Sequence, residues 1–171
     1  MEHILKLIRT IPDFPKPGIQ FRDITPLLKQ PASVHEVTEA MIEPFRAHNI
    51  TAVSGMEARG FIFGSLAAQL LDVSFIPLRK PGKLPYDVAS VSYQLEYGDA
   101  ELEAHTDACN DNDRVLLVDD LIATGGTAKA SCELLEKLGG QIVGCAFLIE
   151  LDDLGGREKL ADYEVHSVIR F

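Results

Sequence analysis

Asp119 and Asp120 are adjacent carboxylates, and Ala123, Thr124, Gly125, Gly126 and Thr127 follow them within the stretch VLLVDDLIATGGT, residues 115–127. A Gly-rich turn that opens a helix brings backbone N–H groups close to an anion, and the helix dipole favours negative charge there. Thr124 and Thr127 add hydroxyl donors. The turn therefore suits a phosphate. Two carboxylates repel a bare phosphate, so they make sense facing another part of the same ligand. Carboxylates accept hydrogen bonds from vicinal hydroxyls, directly or through a divalent ion. A phosphate at one end and a diol at the other describe a ribose 5-phosphate. A second concentration of charge is the loop RKPGKLP, where Arg79, Lys80 and Lys83 put three cations within five residues. Such a loop is either a solvated turn or a grip for a pyrophosphate, whose contacts to cations are about twice as strong as neutral ones. Arg59 is the one cation of a third loop, GMEARG, residues 55–60.

The elements that must position these residues follow from the apolar pattern. Residues 115–118 form a short apolar run, the mark of a strand buried on both faces. Residues 127–138 keep helical spacing and stop at Gly139 and Gly140. Residues 51–54 read as a strand, 61–71 as an apolar helix and 73–78 as the next strand. Residues 88–97 alternate apolar and polar side chains and turn at Gly98-Asp99 into 100–106, so they read as an antiparallel hairpin. It follows the cationic loop as a cover would, excluding water from a site. Residues 142–151 and 165–171 are further strands. Strands alternating with helices predict an α/β fold with a central parallel sheet. Towards the N-terminus, residues 2–10 read as a short amphipathic helix. Pro12, Pro15, Pro17 and Gly18 then impose an extended path. Residues 33–48 read as a helix with Ser33 and Glu36 at capping-box spacing and Pro44 as a kink.

Composition sets outer bounds. The chain has 171 residues, enough for one domain with a full core, and is 46% hydrophobic, so disorder is not expected. A net charge of −10 disfavours a nucleic-acid or anionic-membrane binder, while leaving room for a local cationic site. Three widely spaced cysteines, Cys109, Cys132 and Cys145, fit neither a disulfide framework nor a zinc cluster and suit a reducing, cytoplasmic setting. No stretch has the length of a membrane span, and the N-terminus lacks a signal-peptide core. There is no G-x-x-x-x-G-K-[ST] loop.

VLLVDDLIATGGT resembles the phosphoribosyl-pyrophosphate (PRPP) binding motif of the type I phosphoribosyltransferases. Four further stretches resemble the adenine branch of that family: PDFPKPGIQFRDITPLL, GMEARGFIFG, RKPGKLP and LEYG. The resemblance implies the type I phosphoribosyltransferase fold, a central mostly parallel sheet flanked by helices, with a small N-terminal hood (1–32) and a β-hairpin lid (79–106) in one domain spanning 1–171. It implies transfer of the phosphoribosyl group from PRPP to adenine, giving AMP and pyrophosphate, with Mg²⁺ held mainly by PRPP near Asp119 and Asp120. By the same resemblance Asp119, Asp120, Ala123, Thr124, Gly125, Gly126 and Thr127 bind PRPP. Glu57, Ala58, Arg59, Arg79, Lys80, Lys83 and Tyr97 face pyrophosphate, with the cationic loop reaching across a homodimer. Gln20, Phe21, Arg22 and Leu151 face adenine, although Gln20 stands where members often carry an aliphatic residue. Glu96 is the proton-transfer group beside Arg59 as a catalytic residue, and the peptide near Glu57-Ala58 is strained or cis.

Overall fold

The computed structural model describes residues 1–94 and 98–171 and divides the chain into two compact units, 1–38 and 39–171. The first unit opens with helix α1 (Glu2–Leu5), followed by the antiparallel strands β1 (Arg9–Pro12) and β2 (Gln20–Asp23). Helix α2 (Thr25–Leu28) and the start of α3 (Pro31–Ile42) complete it. The expected helix over 2–10 is thus cut short. So short a helix is marginal on its own, and the β-branched pair Thr10-Ile11 goes instead into a ladder with Phe21 and Arg22. Helix α3 starts two residues before the expected cap. Pro31 takes its first position, where a missing N–H costs nothing, and Ser33 lies inside the helix. Pro44 does not merely kink this helix: residues Glu43–His48 continue as a 3-10 helix.

The second unit is an α/β layer structure. Its elements are β3 (Ala52–Met56), α4 (Gly60–Leu71), β4 (Ser74–Leu78), β5 (Val88–Gln94), β6 (Asp99–His105), β7 (Arg114–Ile122), α5 (Gly126–Lys137), β8 (Gln141–Glu150) and β9 (Val165–Arg170). Five strands form one parallel sheet in the order β4-β3-β7-β8-β9, and β5 and β6 form the separate antiparallel hairpin. Strand β7 is central and both its faces are covered. Val115, Leu116, Leu117 and Val118 have no solvent exposure, and neither do Phe147 and Leu148 on β8. Burying each such side chain stabilises the fold by about 2 kcal/mol.

Strand β7 is longer than the apolar run alone suggested. It continues through Asp119 and Asp120 to Ile122, because β8 runs alongside it as far as the Ile122–Glu150 pairing. Its other neighbour, β3, stops pairing at Val118. The carboxylates therefore sit on an overhanging strand, not in a loop. Among the described residues no helix is long and apolar enough to cross a membrane.

Candidate active site

In a parallel sheet every strand ends at the same edge. The residues singled out for chemistry lie at that edge: 57–59 after β3, 79–83 after β4, 119–127 around the end of β7, and Leu151 after β8. Strand β3 is followed in the sheet by β4 on one side, while β7 is followed by β8 on the other. The sheet's direction of growth reverses between β3 and β7, and ligands of open α/β sheets bind in the crevice at such a point.

The turn after β7 is built to receive an anion. Gly125 adopts φ +75° as the cap of α5, a conformation that L side chains rarely tolerate. The first N–H groups of α5 have no acceptor within the helix and are open to a ligand. A cavity of about 140 Å³ is lined by Asp119, Thr124, Gly126 and Thr127 among others. Helix α5 begins at Gly126, one residue earlier than the spacing predicted. A second cavity, of about 740 Å³, is lined by Glu57, Lys80, Pro81, Ser92, Tyr93 and Thr127 among others, and Thr127 borders both. That volume lies in the range of small-molecule sites.

Charge in this region is tightly organised. The Asp120 N–H donates to Asp119 Oδ1 at 2.8 Å. Arg59, at the N-cap of α4, places Nε 3.0 Å from Asp120 Oδ2. Burial, reinforced by the charge of Asp120, pushes the Asp119 carboxyl well above its ordinary range. Burial also raises Asp120, against the opposing pull of the Arg59 guanidinium. The pair carries more negative charge than its surroundings compensate, which suits hydroxyl donors or a cation arriving with a ligand. Helix α4 approaches so closely that a Cβ at Gly60 would meet Asp119 Oδ1 at 2.7 Å. Arg79 is held by Glu57, with Nε 2.7 Å from Oε2, and its Nη1 donates to the Lys83 carbonyl at 3.0 Å. Arg79 also pairs through its backbone with Glu103, tying the cationic loop to the hairpin. The Glu57–Ala58 peptide is cis.

The N-terminal unit carries three of the expected residues, Gln20, Phe21 and Arg22. On β2, Gln20 is exposed, while Phe21 and Arg22 are half-buried. Phe21 packs edge-on against Phe14 at 5.2 Å, and the Arg22 guanidinium donates to Thr10 Oγ1. Leu151 is half-buried, and its N–H donates to the Ile122 carbonyl just before the Gly-rich turn. Glu96 and Tyr97 lie outside the described residues.

Sequence reading missed the support behind the turn. Gly156 lies so near it that a Cβ there would meet the Ala123 carbonyl at 2.2 Å and the Gly125 nitrogen at 2.9 Å. Arg157 next to it forks onto the buried Glu150 at 2.9 and 2.6 Å. The Arg157 bonds, with help from Ser167 and Arg170, hold Glu150 down at about 2 despite its burial. The doubled glycine, Gly155-Gly156, in the polar turn that follows β8 was the available signal. Among the described residues, no group of three or more His, Cys, Asp or Glu is arranged to hold a metal by itself.

Residues 23–170 match the phosphoribosyl transferase domain family. The chain is 62% identical to the adenine phosphoribosyltransferase of Nitrosococcus oceani over the full length of both. The crystal structure of the adenine phosphoribosyltransferase from Rhodothermus marinus superposes with a TM-score of 0.95 at 54% identity, covering 99% of this chain and 97% of that one. The Saccharomyces cerevisiae adenine phosphoribosyltransferase, complexed with an iminoaltritol bisphosphate and adenine, superposes at 0.92 with 36% identity, covering 98% and 97%.

Proposed function

The chain belongs to the phosphoribosyl transferase family, in its adenine phosphoribosyltransferase branch, and on that premise we propose that it transfers the 5-phosphoribosyl group of PRPP to adenine, releasing pyrophosphate and AMP. One observation carries the reading. The crevice between β3 and β7 gathers a phosphate-type turn, a carboxylate pair and two cation-bearing loops at one sheet edge.

The chemistry follows from what must be stabilised. As pyrophosphate leaves the anomeric carbon, the sugar gains oxocarbenium character and the leaving group gains charge. Arg59, Arg79, Lys80 and Lys83, with the backbone at Glu57 and Ala58, bind that leaving group. Asp119 and Asp120 accept from the ribose hydroxyls, and residues 123–127 donate to the 5-phosphate. The sugar is thereby fixed while the adenine nitrogen approaches, so catalysis is largely positioning. The ion pairs Arg59–Asp120 and Arg79–Glu57 give way to ligand contacts when PRPP enters. Gln20, Phe21, Arg22 and Leu151 select the base. Glu96 carries the proton and Tyr97 flanks the pyrophosphate.

Two adjacent carboxylates without a third ligand suit Mg²⁺ that brings most of its oxygens from substrate. When bound, the ion neutralises charge on PRPP, and Asp119 and Asp120 lie beside it. Residues 1–171 serve as one phosphoribosyltransferase domain. It works as a cytoplasmic homodimer. The free thiols support the compartment, and the exposed Tyr86 and Val88, next to the cationic loop, support a partner.

Steady-state turnover with PRPP and Mg²⁺, comparing adenine, guanine, hypoxanthine and xanthine, tests the reading. AMP formed from adenine alone is expected, with Glu96→Gln losing kcat while keeping the PRPP KM. Turnover of another base in place of adenine overturns the base assignment. PRPP binding without turnover of any base makes the protein a PRPP sensor instead.

A further inference from the structure

Lys159, an exposed residue, lies on the five-residue 3-10 segment Gly156–Leu160. Its Nζ is 3.9 Å from the point where a Cβ at Gly126 would stand, at the first residue of α5. Among the described residues it has no hydrogen-bond or ion-pair partner, in a chain with 26 acidic side chains. By contrast, Lys129 on α5 reaches Glu133 and Asp162. A cation at a helix N-terminus opposes the helix dipole, which favours anions there. An anion held by the first N–H groups of α5 would lie beside that ammonium and give it a partner.

The segment that carries Lys159 is fixed at both ends of its reach. Gly156 packs backbone to backbone under Gly125 and the Ala123 carbonyl. Arg157 forks onto Glu150, which is 3% exposed, and its Nη1 donates to the Val165 carbonyl at 2.7 Å. A bidentate guanidinium–carboxylate pair fixes orientation as well as distance.

We propose that Lys159 is a binding residue for the 5-phosphate of PRPP, and that Arg157, through Glu150, is the positioning residue that holds it there. The inference rests on the assignment of residues 123–127 to that phosphate. Its test is calorimetric titration with ribose 5-phosphate, which offers the phosphate without the pyrophosphate. Lys159→Met should raise the Kd about tenfold, the loss of one charge-assisted contact. It should also flatten the dependence of Kd on salt and raise the KM for PRPP. The KM for adenine and the melting temperature should stay as they are. Lys159→Arg should restore most of the affinity. Arg157→Met should weaken binding in the same direction. Arg170→Met, which strips a second arginine from the same carboxylate at 3.2 Å but touches no part of the turn, should bind as wild type does. Wild-type affinity in Lys159→Met overturns the proposal. Equal losses in Arg157→Met and Arg170→Met overturn the positioning role. If wild-type protein binds pyrophosphate but not ribose 5-phosphate, the assignment of the turn falls, and the lysine's role falls with it. Arg157→Met is the one variant here that risks failing to fold, and Lys159→Met decides without it.

Discussion

Asp119 and Asp120, proposed to accept from the ribose hydroxyls, would serve binding at the expense of stability. Both carboxyls are raised above their ordinary values in the folded protein, Asp119 the more so. A raised acid contributes stability below its unfolded pKa and loses that contribution as pH climbs through the folded value. Ligand-free protein should therefore lose stability as pH rises from mildly acidic towards neutral. Asp119→Asn should remove much of that loss, raising the melting temperature at neutral pH by about 2–4 °C for each kcal/mol recovered, and should weaken PRPP binding about tenfold. Melts of both proteins at mildly acidic and neutral pH, with PRPP titrations beside them, check this. A variant that melts no higher than wild type at neutral pH contradicts it. The Arg59–Asp120 contact was not legible in the sequence. Residues 59 and 120 lie far apart in the sequence, after β3 and near the end of β7, and only the β3–β7 pairing brings them together.

At the scale of elements, the turn after β7 works because two backbones touch. A side chain at Gly125 would meet the Gly156 carbonyl at 2.3 Å and would also have to hold φ at +75°. Gly125→Ala should cost about 2–4 kcal/mol, combining left-handed strain with overpacking. Denaturant unfolding measures it, and a loss under 1 kcal/mol would show that the two turns separate freely. Much of this unit could be read beforehand. The apolar run 115–118, the paired glycines and the helical spacing after them announce strand, turn and helix from local chemistry alone. The alternation over 88–94 announces the hairpin in the same way. What escaped was set by partners. Strand β7 runs on through two aspartates because β8 supplies its hydrogen bonds. Residues 9–12 leave a helical pattern because 20–23 offer a ladder. Gly156 and Lys159 matter only through a neighbour far away in sequence.

For the whole molecule, a net charge of −10 coexists with cations gathered at one sheet edge, where Arg59, Arg79, Lys80, Lys83 and Lys159 stand. At physiological ionic strength charges more than about 8 Å apart are largely screened, so an anion that approaches this edge meets its cations and not the average charge. The three thiols are spread around α5. Cys132 lies on the helix, 3.7 Å from Cys145 on β8, and Cys109 donates to the Leu135 carbonyl near the helix C-terminus. All three are buried. Their buried ring around the helix that opens the phosphate turn is a built-in stopwatch. A thiol reagent can mark Cys132 and Cys145 only after α5 lifts from the sheet, so the rate of marking counts those openings. Lifting α5 also dismantles the turn. PRPP at about 100 times its Kd should thus slow the marking about a hundredfold. An unchanged rate would mean that the core opens while the turn stays whole. A slowed rate would let the protein report, in the colour of a released thiolate, how firmly PRPP holds it shut.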